Sequence, residues 1–357
     1  MTHSSSPFSP PLRDGSKRTP RLLNSLFALY LIGLLGWFLL YQLSGDRFAF
    51  VSLFSMLAFY GFVPLPLVAI WALWRRQAFL LLLLMLDFGA FFALWGQAFL
   101  PKANPAIQPQ LTVLTYNVLG WNEDVAAQVE TIRALAADVV FLQELNPTLA
   151  ALVEEHLSEQ YPYRILDAQV GVEGMGTLSK FPLERVASVP ALGWVGEPQW
   201  LKLEWQNCEI ELMNVHMAPT NFLDAAHIQH TNALRQAQAR WIVAQIKPEK
   251  PLIVAGDTNS VPLSDSYRIL RQGLQDAWQV SGWGLGHTFP GRGGAGSSRP
   301  QIFGVYVPKW LLRIDYIFYT THFQATQSRL TPFDGISDHR GVWASLGWLG
   351  ECDSSKP

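Results

Sequence analysis

Along the first hundred positions, apolar residues arrive in three long runs, Leu22–Leu43, Phe48–Trp74 and Ala78–Leu100. Each reaches the roughly 20 residues that a helix needs to cross a hydrocarbon core, so the pattern predicts three transmembrane helices. The third run carries Asp87 near its middle, a cost of about 2.5–3.5 kcal/mol on insertion. Its many Leu and Phe residues recover roughly 0.3–0.6 kcal/mol each, so insertion still wins. After position 100 the period changes. "LTVLTYNV" (111–118) alternates as a strand does, "EDVAAQVETIRALAA" (123–137) has helical spacing, and "DVVFLQE" (138–144) is again a strand. Further strands are predicted at 163–166, 176–178, 200–205, 209–215, 252–255, 313–319 and 342–346, with a long helix at 224–246. Strands outnumber helices and many read as buried on both faces, which predicts an α/β fold of stacked sheets with helices outside.

The same pattern divides the chain. Residues 1–21 read as a disordered basic leader, 22–100 as the transmembrane region, 101–110 as a stiff linker with three prolines, 111–347 as the folded domain and 348–357 as a tail. Arg13, Lys17, Arg18 and Arg21 precede the first run, and Arg75 and Arg76 lie between the second and third, while Asp46 and Arg47 cancel. The positive-inside rule places the leader and the 75–77 loop in the cytoplasm. Three crossings would then leave the folded domain on the extracytoplasmic side of the membrane.

Composition narrows the function. Seven of the 26 Lys and Arg and three of the 28 Asp and Glu fall within residues 1–100, so the remainder of the chain is acidic by six. Proteins that hold long nucleic acid through its phosphates cluster basic residues instead, which weighs against a sequence-indifferent nuclease. Two cysteines, Cys208 and Cys352, are too few for a disulfide framework and too far apart for a zinc site.

Polar side chains recur where apolar strands end. "LTYNV" delivers Asn117, "VVFLQEL" Glu144, "IELMNVH" Asn214 and His216, "LIVAGDTN" Asp257 and Asn259, and "LLRIDYIFY" Asp315, while "GISDHRGV" brings Asp338 and His339 just before a strand. Each alone has an ordinary reading as a turn former or helix cap. Strand ends on one edge of a sheet converge, however, and six such sites together predict one polar pocket.

In the order "TYNV", "LQE", "GTLSKFP", "NVH", "GDTN", "RIDYIF", "SDHRGV", from about Leu111 to Leu346, the sequence resembles the endonuclease/exonuclease/phosphatase superfamily. The resemblance implies a four-layer α/β/β/α sandwich and metal-dependent hydrolysis of a phosphodiester or phosphomonoester by in-line attack of water. It implies Glu144 as main metal ligand, supported by Asn117 and Asp338, and Mg²⁺ or Mn²⁺ as the cation, since hard cations prefer carboxylate and amide oxygens. By the same resemblance Asp257 would activate the water and Asn259 would bond the developing phosphorane. His216 and His339 would donate to phosphate oxygens, Asp315 would orient His339, and Asn214 would touch substrate. The expected partners are the bilayer and a phosphoester, whether a lipid headgroup, a small molecule or nucleic acid. A membrane-tethered nuclease and a non-catalytic scaffold are the alternative functions, and no protein partner is inferable.

Overall fold

The computed structural model describes residues 18–103, 105–122, 124–294, 297 and 299–350. The predicted leader up to Lys17 and the tail from Glu351 lie outside the described residues. Arg18–Arg21, read as leader, already form the start of a helix. The chain forms two compact units. One comprises residues up to Gln42 with Ala58–Leu94, the other Leu43–Leu57 with everything from Trp95 onward. The stretch 22–100, expected to act as one region, is therefore shared between them.

The first unit is built on α1 (Arg18–Ser44), the last residues of α2 (Ala49–Phe62), α3 (Leu65–Trp74) and α4 (Ala78–Trp95). Its contacts are those of an apolar bundle with a few polar ties. Trp71 Nε1 donates to Asn24 Oδ1 at 2.8 Å, and the Tyr30 hydroxyl donates to the Gly61 carbonyl at 2.5 Å. Asp87 is fully buried, as a carboxylate in a long apolar helix is expected to be.

The expectation of three transmembrane helices needs correction. Two helical stretches, Arg21–Ser44 and Ala78–Phe99, are long and apolar enough to cross a membrane. The second run is broken instead into α2 and α3, bent by 49°, and gives a third span only if the bent pair is counted as one. Pro64 causes the break. It has no N–H to continue α2, and its carbonyl instead accepts from Leu67 and Val68 at the start of α3.

In the second unit the order is β1 (Gln110–Asn117), α5 (Ala126–Leu135), β2 (Val139–Gln143), α6 (Pro147–Leu157), β3 (Tyr163–Asp167), β4 (Met175–Ser179), β5 (Leu183–Ala187), β6 (Gln199–Trp205) and β7 (Cys208–His216). There follow α7 (Ala225–Ala244), β8 (Leu252–Asp257), α8 (Asp265–Leu270), β9 (Gln275–Asp276), α9 (Ala277–Ser281), β10 (Gln301–Ile302), β11 (Val305–Tyr306), β12 (Asp315–Tyr319), β13 (Phe323–Leu330) and β14 (Val342–Trp348). Two mixed six-stranded sheets result, ordered β13-β14-β1-β2-β4-β3 and β5-β6-β7-β8-β12-β9, with β10-β11 a separate hairpin.

Three apolar clusters account for the layers. Leu111, Val113 and Phe141 of the first sheet pack with Leu203, Leu212 and Ile317 of the second, forming the core between them. The other face of the first sheet packs Leu114 and Val140 against Val129 of α5 and Val153 of α6. The other face of the second packs Met213 and Val254 against Ala239 and Ile242 of α7 and Tyr267 of α8. Strands buried on both faces read as near-continuous apolar runs, which is why β2 reads VVFL without alternation before Gln143.

A polar seam interrupts this inter-sheet core. Gln143 Nε2 donates to Asn214 Oδ1 at 2.7 Å, and the Asn214 amide donates in turn to the carbonyls of Leu142 (3.1 Å) and Gly176 (2.8 Å). Thr177 and Gln199 extend it at 2.7 Å. Buried polar groups persist only when satisfied, and each of these contacts meets that condition.

Within the second unit, the segment 43–57 is tied to α7 and α8 by hydrogen bonds. Asp46 Oδ2 accepts the Asp265 N–H at 3.0 Å, and Asp265 Oδ2 accepts the Asp46 N–H at 3.2 Å. From α7, Gln236 donates to Asp46 Oδ1 (3.0 Å) and Asn232 to Ser52 Oγ (3.0 Å).

Candidate active site

Strand pairing brings the polar strand ends together. β1 and β2 run parallel with Asn117 opposite Gln143, so Asn117 and Glu144 leave the first sheet side by side. In the second sheet β7 is parallel to β8 with His216 opposite Asp257, and β12 is antiparallel with Asp315 opposite Asp257. His216, Asp257 and Asp315 thus stand on three adjacent strands at one level. His339 arrives on the loop before β14. Ser337 holds that loop, its Oγ donating to the Asn117 carbonyl at 2.7 Å and accepting the His339 N–H at 3.0 Å.

Local backbone geometry aims these groups. Glu144 (φ 58°) and Asn259 (φ 49°) are left-handed, a region uncommon for residues with a side chain and concentrated at functional sites. Asp257 Oδ1 accepts the Asn259 N–H at 2.9 Å and closes an Asx turn. The turn, not strand alternation, brings Asn259 to the cleft beside Asp257. Gly256 permits it. Its φ is +149°, and a Cβ there would lie 1.9 Å from the Val215 carbonyl oxygen.

A chain of contacts then crosses from sheet to sheet. The Asn117 amide nitrogen donates to Glu144 Oε1 (3.0 Å) and Asp257 Oδ2 (3.1 Å), and Gly120 N–H donates to Glu144 Oε2 (3.0 Å). His216 Nε2 lies 3.5 Å and His339 Nε2 3.7 Å from Asp257 Oδ2. His339 Nδ1 pairs with Asp315 Oδ2 at 2.9 Å. Phe289 lies against the His339 ring, centroids 4.9 Å apart.

Burial and mutual charge set the protonation states. Burial first, then Asp315, pushes Asp257 up to about 7, opposed by His339 and the bonds from Asn259 and Asn117. Burial raises Glu144 as well, against the hydrogen bonds from Asn117 and Gly120. Burial disfavours charge on His339, but Asp315, Asp257 and Asp338 outweigh it and hold the imidazolium well above its ordinary range. His216 differs: burial, then His339, presses it down to about 3, so it is a neutral imidazole.

Glu144, His216, Asp257, Asn259 and His339 line one cleft of about 540 Å³. Asn117 and Asp315 stand in contact with them, and Asp338 Oδ1 is 3.9 Å from His339 Nε2. Asn214 does not join them. Its amide is spent in the inter-sheet seam, so the expected substrate contact gives way to a supporting position between the sheets. Asn117 presents nitrogen to both carboxylates while its oxygen accepts the Leu119 N–H, so ligation through oxygen requires rotating the amide. Sequence reasoning missed Phe289, whose only signal is its place in "HTFP", and the cleft residues Leu53, Met56 and Leu57 of α2.

The donor set suits a hard cation, being carboxylate and amide oxygen around Glu144. Oδ1 of Asp315 is buried with no hydrogen-bond partner among the described residues. Asp257, Asp315 and His339 also bring one ligand atom each within 4.8 Å of the others. A cation among these three would cost the His339–Asp315 bond, whereas each Glu144 oxygen accepts one hydrogen bond and keeps a further lone pair for a cation.

Residues 114–339 match the model of the endonuclease/exonuclease/phosphatase family. No curated protein matches the sequence. Among solved structures, TDP2 of D. rerio complexed with a single-strand DNA product is 18% identical, with 67% of this chain and 99% of that one covered and a TM-score of 0.51. An endonuclease/exonuclease/phosphatase from Bacteroides vulgatus is 19% identical, covering 68% and 100%, with a TM-score of 0.50. Likeness at this identity speaks for the fold alone.

Proposed function

The chain belongs to the endonuclease/exonuclease/phosphatase family, and from that premise we propose that it is a membrane-anchored, divalent-metal-dependent phosphoester hydrolase. The observation that carries this reading is the contact chain Glu144–Asn117–Asp257–His339, which joins a cation-binding carboxylate, a near-neutral base and a charged donor.

Asp257 acts as general base toward the attacking water. A base is most effective when its pKa lies near the working pH, and burial supplies that shift. His339, kept charged and oriented by Asp315, donates from Nε2 to a phosphate oxygen. Neutral His216 donates a single N–H, and Asn259 offers the amide hydrogen that its bond to the Met217 carbonyl leaves over. These preplaced donors stabilise charge as it develops on phosphorus oxygens. Glu144, with Asp338 and the Asn117 oxygen, would hold Mg²⁺ or Mn²⁺, which when bound draws charge from the phosphate and leaving oxygens.

Span count and charge support an extracytoplasmic location: with the bent α2–α3 pair counted as one span, α1 and α4 make the total odd, and the basic residues before and at the start of α1 and at Arg75–Arg76 then face the cytoplasm.

The test is hydrolysis of bis(p-nitrophenyl) phosphate by the full chain in detergent with Mg²⁺. Turnover that EDTA stops and Asp257→Ala abolishes is expected; undiminished turnover in Asp257→Ala, or none in the wild type, overturns the reading. An alkaline phosphatase fused at the C-terminus should be active, and an inactive fusion overturns the location.

A further inference from the structure

The floor of the cleft is polar, but its walls are carbon. Leu53, Met56 and Leu57 from the second and third turns of α2 face it, with Phe222, Val307 and Leu311 among the remaining wall residues. Of the described lining residues, none is lysine or arginine. The rim continues in the same chemistry. Phe222 and Leu223 are exposed in the loop after β7, and Ile302 and Phe303 are exposed on the β10–β11 hairpin, whose flanks Pro300 and Val307 line the cleft. A cleft of about 540 Å³ lies within the range of ligand pockets, which are mostly apolar with a few convergent polar groups. A site that tracks a nucleic-acid strand needs cations for the flanking phosphates and a basic groove, and this lining provides neither.

We propose that the substrate is an amphiphilic phosphoester, its phosphate seated on the Glu144–Asp257–His339 floor and its hydrocarbon chain lying along Leu53, Met56 and Leu57. This rests on the phosphoesterase reading above. The wall residues sit on a helix that runs on without interruption to Phe62, so one element serves both the cleft and the apolar run that follows. Leu53 and Leu57 are one helical turn apart, with Met56 beside them, which puts all three on one stripe. Leu53 and Leu57 are exposed and Met56 is half-buried, and a hydrocarbon chain lying along them covers that surface.

The experiment measures kcat/KM of the full chain in detergent with Mg²⁺ on a series of p-nitrophenyl alkyl phosphodiesters from ethyl to octyl. Each added methylene should raise kcat/KM by roughly two- to fourfold. Leu57→Ser and the double variant Leu53→Ser/Met56→Ser should flatten that rise, lowering kcat/KM for the octyl ester far more than for the ethyl ester. Partitioning into detergent is common to all the proteins, so the difference in slope carries the reading. Leu311→Ser, from another segment of the wall, serves as the second variant should the α2 changes disturb folding. An equal slope in wild type and all wall variants overturns the inference, as does faster cleavage of a single-stranded oligonucleotide than of the octyl ester. Absence of hydrolysis across the whole series would instead overturn the phosphoesterase reading on which it rests.

Discussion

Asn117 donates to Asp257 across 3.1 Å, and this bond joins the end of β1 in one sheet to the end of β8 in the other. It also opposes the burial that raises the Asp257 carboxyl. Removing it in Asn117→Ala should therefore raise the base further and move the acidic limb of the pH–rate profile to higher pH, with turnover reduced roughly 10- to 100-fold. An unmoved acidic limb would show that Asn117 does not tune Asp257.

Asp257→Ala and Glu144→Ala should each lower kcat by at least about 100-fold with melting temperatures near that of the wild type, because neither side chain belongs to an apolar cluster. His339→Ala should do the same. Near-normal rates in any one of them would remove that residue from the reaction.

Asp315→Asn removes the carboxylate that does most to keep His339 charged against burial. The protonated fraction should then fall at lower pH, shifting the basic limb of the pH–rate profile downward. The stability contribution has the matching sign. A histidine whose pKa is raised by folding stabilises fully below its ordinary value of 6.5 and loses that contribution as pH rises through the folded value. Identical basic limbs in variant and wild type would contradict the role of Asp315.

Metal binding should release protons. Asp257 at about 7 and a raised Glu144 hold protons that a cation displaces, so Mg²⁺ affinity should strengthen between pH 6 and pH 8 on an order-of-magnitude scale. In the metal-free protein the folded state binds the Asp257 proton more tightly than the unfolded state, so stability declines as pH rises from 3.8 through about 7. Calorimetry in buffers of different ionisation enthalpy measures the proton count, and a count of zero would argue against cation binding at these carboxylates.

Gly256→Ala should unfold or severely destabilise the second unit, by more than about 2 kcal/mol, since the added carbon meets the Val215 carbonyl at 1.9 Å. Chemical denaturation measures the loss; a change under about 0.5 kcal/mol would mean that the β7–β8 pair opens without cost.

The convergence of the candidate site was legible in the sequence because polar groups stand at the ends of strands that are otherwise apolar, as in "LIVAGDTN". Parallel pairing then leaves those ends on one edge, so convergence follows from strand order. Asn214 misled because a polar residue two positions before His216 on the same strand looks identical whether it faces a cleft or an inter-sheet seam. β13, reading FQATQSRL, escaped notice because as an edge strand it is half polar and lacks the continuous apolar run of a central strand. The division of α2 was hidden for the opposite reason. Leu53, Met56 and Leu57 are equally at home against lipid and against a cleft, and hydropathy does not distinguish the two.

The reciprocal Asp46–Asp265 bonds bear on any attempt to work with a shortened protein. A fragment begun at Gln110, where the first strand starts, would fold around two sheets yet arrive with one side of its binding channel missing, and with Asp265, Asn232 and Gln236 stripped of the groups they hold. Such a fragment would report on the chemistry of bond cleavage while misreporting which molecules are chosen for it.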